Sequence, residues 1–377
     1  MIMKKAVTLV FLFAVILKAQ VSVFNATLPF GIDIDALPGG ARSMGGTGNA
    51  VVSPSNMYLL NPGNLGLTSK VAFSASMNLS INKLKEAETY TDHADFMPEL
   101  IGFSIPLDIL GTAALSFRRL NSSDIRFRST SPWAEEEISI STHQAGGTNA
   151  WEAGWGRRIT DFLGLGMKYQ KSYSNRELTR LAEYSGNESG TSRDSTYINT
   201  ESNSLQLGIL MDFERFSGGI TFTGFFNNTL EYSNGLYNRY SGEPVNGTTE
   251  TGKYDFDMPY SIGLGFSFQP SSKFTTALDL DISTWERFDA GDKPDAPRVY
   301  SLPEYRNTIS ISGGLDFVPN PEVFSPDYWE MMHFYTGFNV AALPVKNSAE
   351  YSGTLGIGLP VGSDGIIDLG FEAGRRT

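Results

Sequence analysis

Few side chains in this 377-residue chain have the types and spacing that chemistry needs. Cysteine is absent, so no thiol nucleophile, no disulfide and no thiolate ligand is available. The three histidines, His93, His143 and His333, lack the paired spacing of a zinc site, and no metal or other cofactor is expected. His143 with Ser139 or Ser141 is the one nucleophile-and-base arrangement worth naming. No acidic residue can be assigned to orient it, and geometry rather than order defines a triad, so the reading is that the protein is not an enzyme. Gly45, Gly46 and Gly48 imitate a phosphate loop, but Val51 stands where the third glycine belongs and no βαβ pattern surrounds it. What remains is a set of carboxylates, Asp212, Asp279, Asp281, Asp316, Asp368 and Glu372, together with Arg118 and Lys168. Such groups can hydrate a polar interior or pin a second segment by ion pairs.

The elements that position them have a period of two. After Lys70, the residues Val71, Phe73, Ala75, Met77, Leu79 and Ile81 alternate with Ala72, Ser74, Ser76, Asn78, Ser80 and Asn82, which makes one face apolar and the other polar. The pattern returns in segments of about 8 to 12 residues, the length a tilted strand needs to cross a bilayer. Examples are Leu205, Leu207, Ile209, Met211 and Phe213, then Ile262, Leu264, Phe266 and Phe268, and finally Ile367, Leu369, Phe371 and Ala373. If these face lipid, the carboxylates above face a lumen. Short connectors alternate with long polar ones at 121–137, 175–199 and 231–257, and a further long one leads to Arg306; 318–330 is an exception on the short side. Outer-membrane barrels show this asymmetry, with short periplasmic turns and long external loops.

The fold expected is therefore all-β, a transmembrane antiparallel β-barrel. Thirteen strands are visible, and a single-chain bacterial barrel needs an even number. A fourteenth is inferred to be missing after the polar ending Gly374, Arg375, Arg376 and Thr377. At the other end, Lys4 and Lys5 precede an apolar run from Ala6 to Leu17 and the small Ala19, which reads as a secretory signal peptide over 1–19. The formal charge of -12 becomes -15 once Lys4, Lys5 and Lys18 leave with it (-12 minus 3), and an acidic surface argues against nucleic acid as a partner. The location expected is the outer membrane of a Gram-negative-type bacterium, in contact with its lipid.

Residues 20–69 are not strand-like. They carry Gly39-Gly40-Ala41-Arg42-Ser43-Met44-Gly45-Gly46 and then Asn61-Pro62-Gly63-Asn64-Leu65. This pair of motifs resembles the N-terminal signature of the FadL/TodX-like outer-membrane family, where the second motif usually reads Asn-Pro-Ala-Gly-Leu. The resemblance implies a 14-stranded barrel over 70–377, a luminal hatch formed by 20–69, and passive uptake of hydrophobic molecules such as long-chain fatty acids or aromatic hydrocarbons. It places Arg42, Met44, Gly45, Gly46, Asn61, Pro62 and Gly63 at the hatch. It also makes the loops at 175–199 and 231–257 the ligand-capturing ones, with Leu178, Leu181, Ala182 and Tyr184 on one face of a short helix and Leu236, Tyr237 and Tyr240 as a second patch. These loops are otherwise polar. That keeps open an alternative to the uptake channel, a scaffold or shuttle barrel of an outer-membrane protein-secretion system, whose loops hold a protein partner instead of a lipid.

Overall fold

The computed structural model describes residues 20–22, 32–33, 36–53, 59–86, 89–122, 124–133, 136–185, 190–240, 243–288, 305–321, 327–362 and 364–376. The signal-peptide segment lies outside them. Two short strands, β1 (Gln20–Ser22) and β2 (Ile32–Asp33), and two short helices, α1 (Gly39–Ser43) and α2 (Asn64–Leu67), come first. The long strands follow: β3 (Ala72–Glu86), β4 (Thr89–Pro106), β5 (Thr112–Ser122), β6 (Ile125–Trp133), β7 (Glu136–Thr160), β8 (Leu163–Ser185), β9 (Gly190–Phe213), β10 (Phe216–Tyr240), β11 (Glu243–Asp255), β12 (Ser261–Ser271), β13 (Phe274–Ser283), β14 (Thr308–Phe317), β15 (His333–Ala342), β16 (Ala349–Val361) and β17 (Gly365–Arg376).

All belong to one sheet, and each long strand except β6 and β11 pairs antiparallel with the next of its kind in chain order. β1 pairs in parallel with β17 at Gln20 and Arg375 and with β3 along Gln20–Ser22, so it lies between the two ends of this ladder. The alternation read from the sequence is the alternation of the wall. Phe73 is 73 % exposed, and Val71, Met77, Leu79 and Ile81 share that outer face. An apolar face turned outward all round suits lipid and would be unstable in water. Aromatic rings close off the band at the short-turn end, where Phe162 stacks on Phe213, Phe216 on Phe268 and Phe274 on Phe317 at centroid distances of 5.0, 4.8 and 4.7 Å.

At the other end the sequence reading needs correction. The polar stretches 121–137, 175–199 and 231–257 are mostly strand, not loop: β6 pairs with the outer part of β7, and β8, β9, β10 and β11 continue the ladder outward. β7 to β10 run 23 to 25 residues, more than twice the roughly 9–11 needed to span a bilayer. Outside the membrane both faces of a strand can be polar, so the apolar alternation that marks a strand disappears. The helix expected around Leu178, Leu181, Ala182 and Tyr184 is likewise strand β8. A strand puts Leu178 and Leu181, three residues apart, on opposite faces, and Leu178 is buried while Leu181 is not. Leu236 and Tyr237 are also on opposite faces of β10 and both are exposed, so neither pair forms the single apolar patch expected. Tyr240 ends the same strand.

Candidate functional site

The ring of strands encloses residues 36–53 and 59–68, and glycine is what lets it do so. The segment bends through Gly45 and Gly46, both with positive φ (74° and 85°), a conformation that costs other residues dearly. On the wall, Gly166 faces the Pro62 carbonyl, Gly219 the Asn49 carbonyl and Gly314 the Met44 backbone, each so closely that a Cβ would overlap it. Gly63 is constrained in turn, since a Cβ there would lie 2.8 Å from the Leu210 nitrogen. Pro62 and Met44 are buried, Met44 in a small apolar cluster with Val51, Ala277 and Tyr335.

Polar anchors then fix the segment from every side. Arg42 on α1 donates to both Glu99 oxygens at 2.7 and 2.8 Å and lies 3.5 Å from Glu372, which ties β4 to β17 through the enclosed segment. Asp368 accepts from the Gly40 amide at 2.9 Å, and Thr354 donates to the Ser43 carbonyl at 2.8 Å. Asp279 accepts from the Gly48 and Asn49 amides at 2.7 and 2.9 Å, while the Asn49 side chain donates to Asp281 at 3.2 Å. Asn61 uses its whole amide: Nδ2 donates to the carbonyls of Asn49 and Ile209, and Oδ1 accepts from the Gly63 amide. That double role accounts for an Asn followed by Pro-Gly at the turn into α2.

The opposite wall works through cations. Lys168 donates to the Leu59 carbonyl at 2.8 Å, Arg118 reaches the Ala36 carbonyl at 3.5 Å, and Arg158 donates to Leu67 at 2.9 Å. Arg118 and Lys168 converge on Glu152, at 2.5 and 3.3 Å, and Ser116 donates to the same carboxylate at 2.7 Å. Glu152 is 1 % exposed. A carboxylate buried that deeply is tolerable only because two cations and a hydroxyl compensate it.

Of the six carboxylates singled out from the sequence, Asp279, Asp281, Asp368 and Glu372 meet the enclosed segment. The other two do not: Asp212 accepts from Ser217, and Asp316 pairs with His333 at 2.9 Å. Glu99 and Glu152 escaped the sequence reading for different reasons. The ladder between β3 and β4 shifts register between Ser76 and Met77, leaving Glu99 as an extra bulge residue beside the inward Leu100, a break in period that no alternation count finds. Glu152 does sit in phase between Trp151 and Ala153, and reading β7 as one continuous strand would have found it. His143 lies 3.9 Å from Asp124, and the Ser139 hydroxyl accepts from Arg128 instead of facing a base.

One patch above the anchors is apolar. Ile198, Leu230, Tyr232, Tyr254 and Phe256 pack together on β9, β10 and the end of β11, with Met258 and Phe288 against them.

Comparison with known proteins agrees with this geometry. A family model described as BamG matches residues 1–377. No curated protein matches the sequence. Among solved structures, the Pseudomonas putida toluene transporter TodX superposes with a TM-score of 0.63 at 15% identity, covering 90% of this chain and 92% of its own. A Pseudomonas aeruginosa FadL homologue gives 0.59 at 13% identity, over 90% and 89%, and the CymD monoaromatic hydrocarbon channel 0.58 at 14%, over 92% and 94%. The fold is thus the FadL/TodX-type outer-membrane barrel. At such identities the likeness is one of fold.

Proposed function

The chain belongs to the BamG family, and from that premise we propose that it is a closed scaffold barrel, a component of a protein-handling machine of the outer membrane that holds a protein partner. The observation that carries this is the fastening of the enclosed segment, which serves as a fixed hatch. Wall side chains hold its backbone at Gly40, Ser43, Gly48, Asn49, Leu59, Leu60 and Leu67. A hatch that must move aside for each ligand gains nothing from so many simultaneous contacts, several of them charge-assisted. The mostly polar sheet continuing outward from β7 to β11 supports the same reading, because it offers a large hydrogen-bonding surface.

A second reading is passive uptake of hydrophobic molecules such as long-chain fatty acids or aromatic hydrocarbons. The apolar cluster around Tyr232, Tyr254 and Phe256 favours it, as does a fold shared with hydrocarbon channels. One lock separates the two. A Cβ on Gly370 would lie 4.0 Å from that of Ser43, within disulfide range, and the chain has no cysteine of its own. In the Ser43→Cys/Gly370→Cys double variant, oxidation should leave partner co-purification and growth of the host unchanged. Loss of hydrocarbon or fatty-acid entry into loaded vesicles on oxidation, restored by reductant, would instead establish the channel.

A further inference from the structure

The enclosed segment is fastened in two stretches, and each has its own part of the wall. Residues 36–53 are held by β4, β13, β16 and β17: Arg42 pairs with Glu99 and Glu372, Asp368 takes the Gly40 amide, Thr354 the Ser43 carbonyl, and Asp279 the Gly48 and Asn49 amides. Residues 59–68 are held by β5, β7, β8 and β9. Lys168 and Gln206 donate to the Leu59 and Leu60 carbonyls at 2.8 and 3.0 Å, Arg158 donates to Leu67 at 2.9 Å, and Thr112 to Thr68 at 3.3 Å. The two sectors overlap at one margin, where Arg118 of β5 reaches the Ala36 carbonyl at 3.5 Å.

Between the stretches the chemistry changes. Residues 59–68 contain no charged side chain, so no ion pair can join them to 36–53. Much of the contact is apolar: Leu37 and Ala41 share a buried cluster with Leu59 and Leu65, Ala50 shares another with Leu67, and Leu60 covers Gly48. Across this seam Asn61 donates to the Asn49 carbonyl at 2.7 Å and Asn64 to the Ser53 carbonyl at 2.8 Å. Both are neutral amide bonds.

Apolar contact is non-directional, so two such surfaces can slip past one another without stranding a charge. Lifting a stretch off the wall is different. It takes Arg42 from the buried Glu99 and two amides from the buried Asp279, or it takes their acceptors from Lys168 and Arg158. Buried charges left this way cost more than neutral bonds lost. We propose that the enclosed segment is built as two half-plates riding on separate sectors of the wall, and that it yields along the seam between Asn49 and Asn61, not by withdrawal as one piece. A change in barrel shape is thereby felt inside as a parting at one fixed place. The inference concerns how the segment yields and stands apart from either function proposed above.

The test compares two cysteine pairs in the full chain, purified in detergent with no ligand or partner. Cβ positions lie 3.6 Å apart at Gly48 and Leu60, across the seam, and 4.0 Å apart at Ser43 and Gly370, between the first stretch and the wall. Both are within disulfide range. Each double variant is kept reduced and exposed to a thiol-alkylating reagent, and the fraction still able to form its disulfide is followed in time. Gly48→Cys/Leu60→Cys should be trapped about ten-fold faster or more, the ratio expected when the wall contact holds one further charge-assisted hydrogen bond. Equal or faster trapping of Ser43→Cys/Gly370→Cys overturns the proposal, because the segment then leaves the wall as readily as it parts. Amide exchange gives a second reading without cysteines. Thr354→Val should accelerate exchange at Met44, Gly45 and Gly46 and leave Asn64, Leu65 and Gly66 unchanged, and Gln206→Leu should do the reverse. Acceleration of both stretches by either variant shows one cooperative body and overturns the proposal too.

Discussion

Two buried carboxylates hold the enclosed segment from different walls, and they do so by different physics. Glu152 is compensated by Arg118, Lys168 and Ser116, and its role is to seat those cations so that they can reach the carbonyls of Ala36 and Leu59. Asp279, 3 % exposed, touches the segment directly through the Gly48 and Asn49 amides, and among the described residues its other oxygen has no hydrogen-bond partner. One wall presents a finished ion network with donors aimed inward. The other presents a single acceptor satisfied by the backbone it holds. A deletion in the first strands buried charge, whereas a deletion in the second loosens one loop.

Glu152→Ala should therefore have the largest effect, about 3–5 kcal/mol, because Arg118 and Lys168 are left buried without their counter-charge. It would be read as a lower midpoint for heat-induced loss of compact migration in detergent. Glu152→Ala/Lys168→Met should recover part of that loss, and an absence of recovery would mean that the network is not the source of the cost. Gly166→Ala comes next. Its methyl group overlaps the Pro62 carbonyl, and overpacking of this kind costs about 1–3 kcal/mol; amide exchange around 61–66 should accelerate. Asp279→Asn keeps an acceptor and strands no cation, so about 1 kcal/mol is expected, with faster exchange confined to Gly48 and Asn49. Equal losses for Glu152→Ala and Asp279→Asn would erase the distinction between the two walls. Gly353→Ala is the reference, since nothing lies within 4 Å of its Cβ position, and a midpoint indistinguishable from the parent is expected.

The membrane wall was legible in the sequence because lipid on one side and a polar lumen on the other impose a strict period of two. Val71 to Asn82 could hardly be anything else. That legibility ended where its cause ended, at the level where β7 to β10 leave the bilayer and Thr196, Asn234 and Glu250 no longer need to alternate with apolar neighbours. Among the anchors, Asp279, Asp281, Asp368 and Glu372 could be picked out because they occupy polar positions within clear strands. Their partners could not, since which carboxylate meets which stretch of enclosed backbone depends on contacts more than 200 residues apart in sequence, as between Gly48 and Asp279. Glu99 needed the bulge.

The glycine positions along the wall also bear on the order in which the protein is built. Gly166, Gly219 and Gly314 fit the enclosed backbone so closely that threading the segment into a finished ring should meet steric resistance at all three. It is synthesised before any long strand, and its contacts reach strands from β4 to β17. If the segment is the mould on which successive hairpins are laid, the joining of β17 to β3 through β1 should come last. Slow steps in refolding should accordingly belong to seating, with hairpin formation faster.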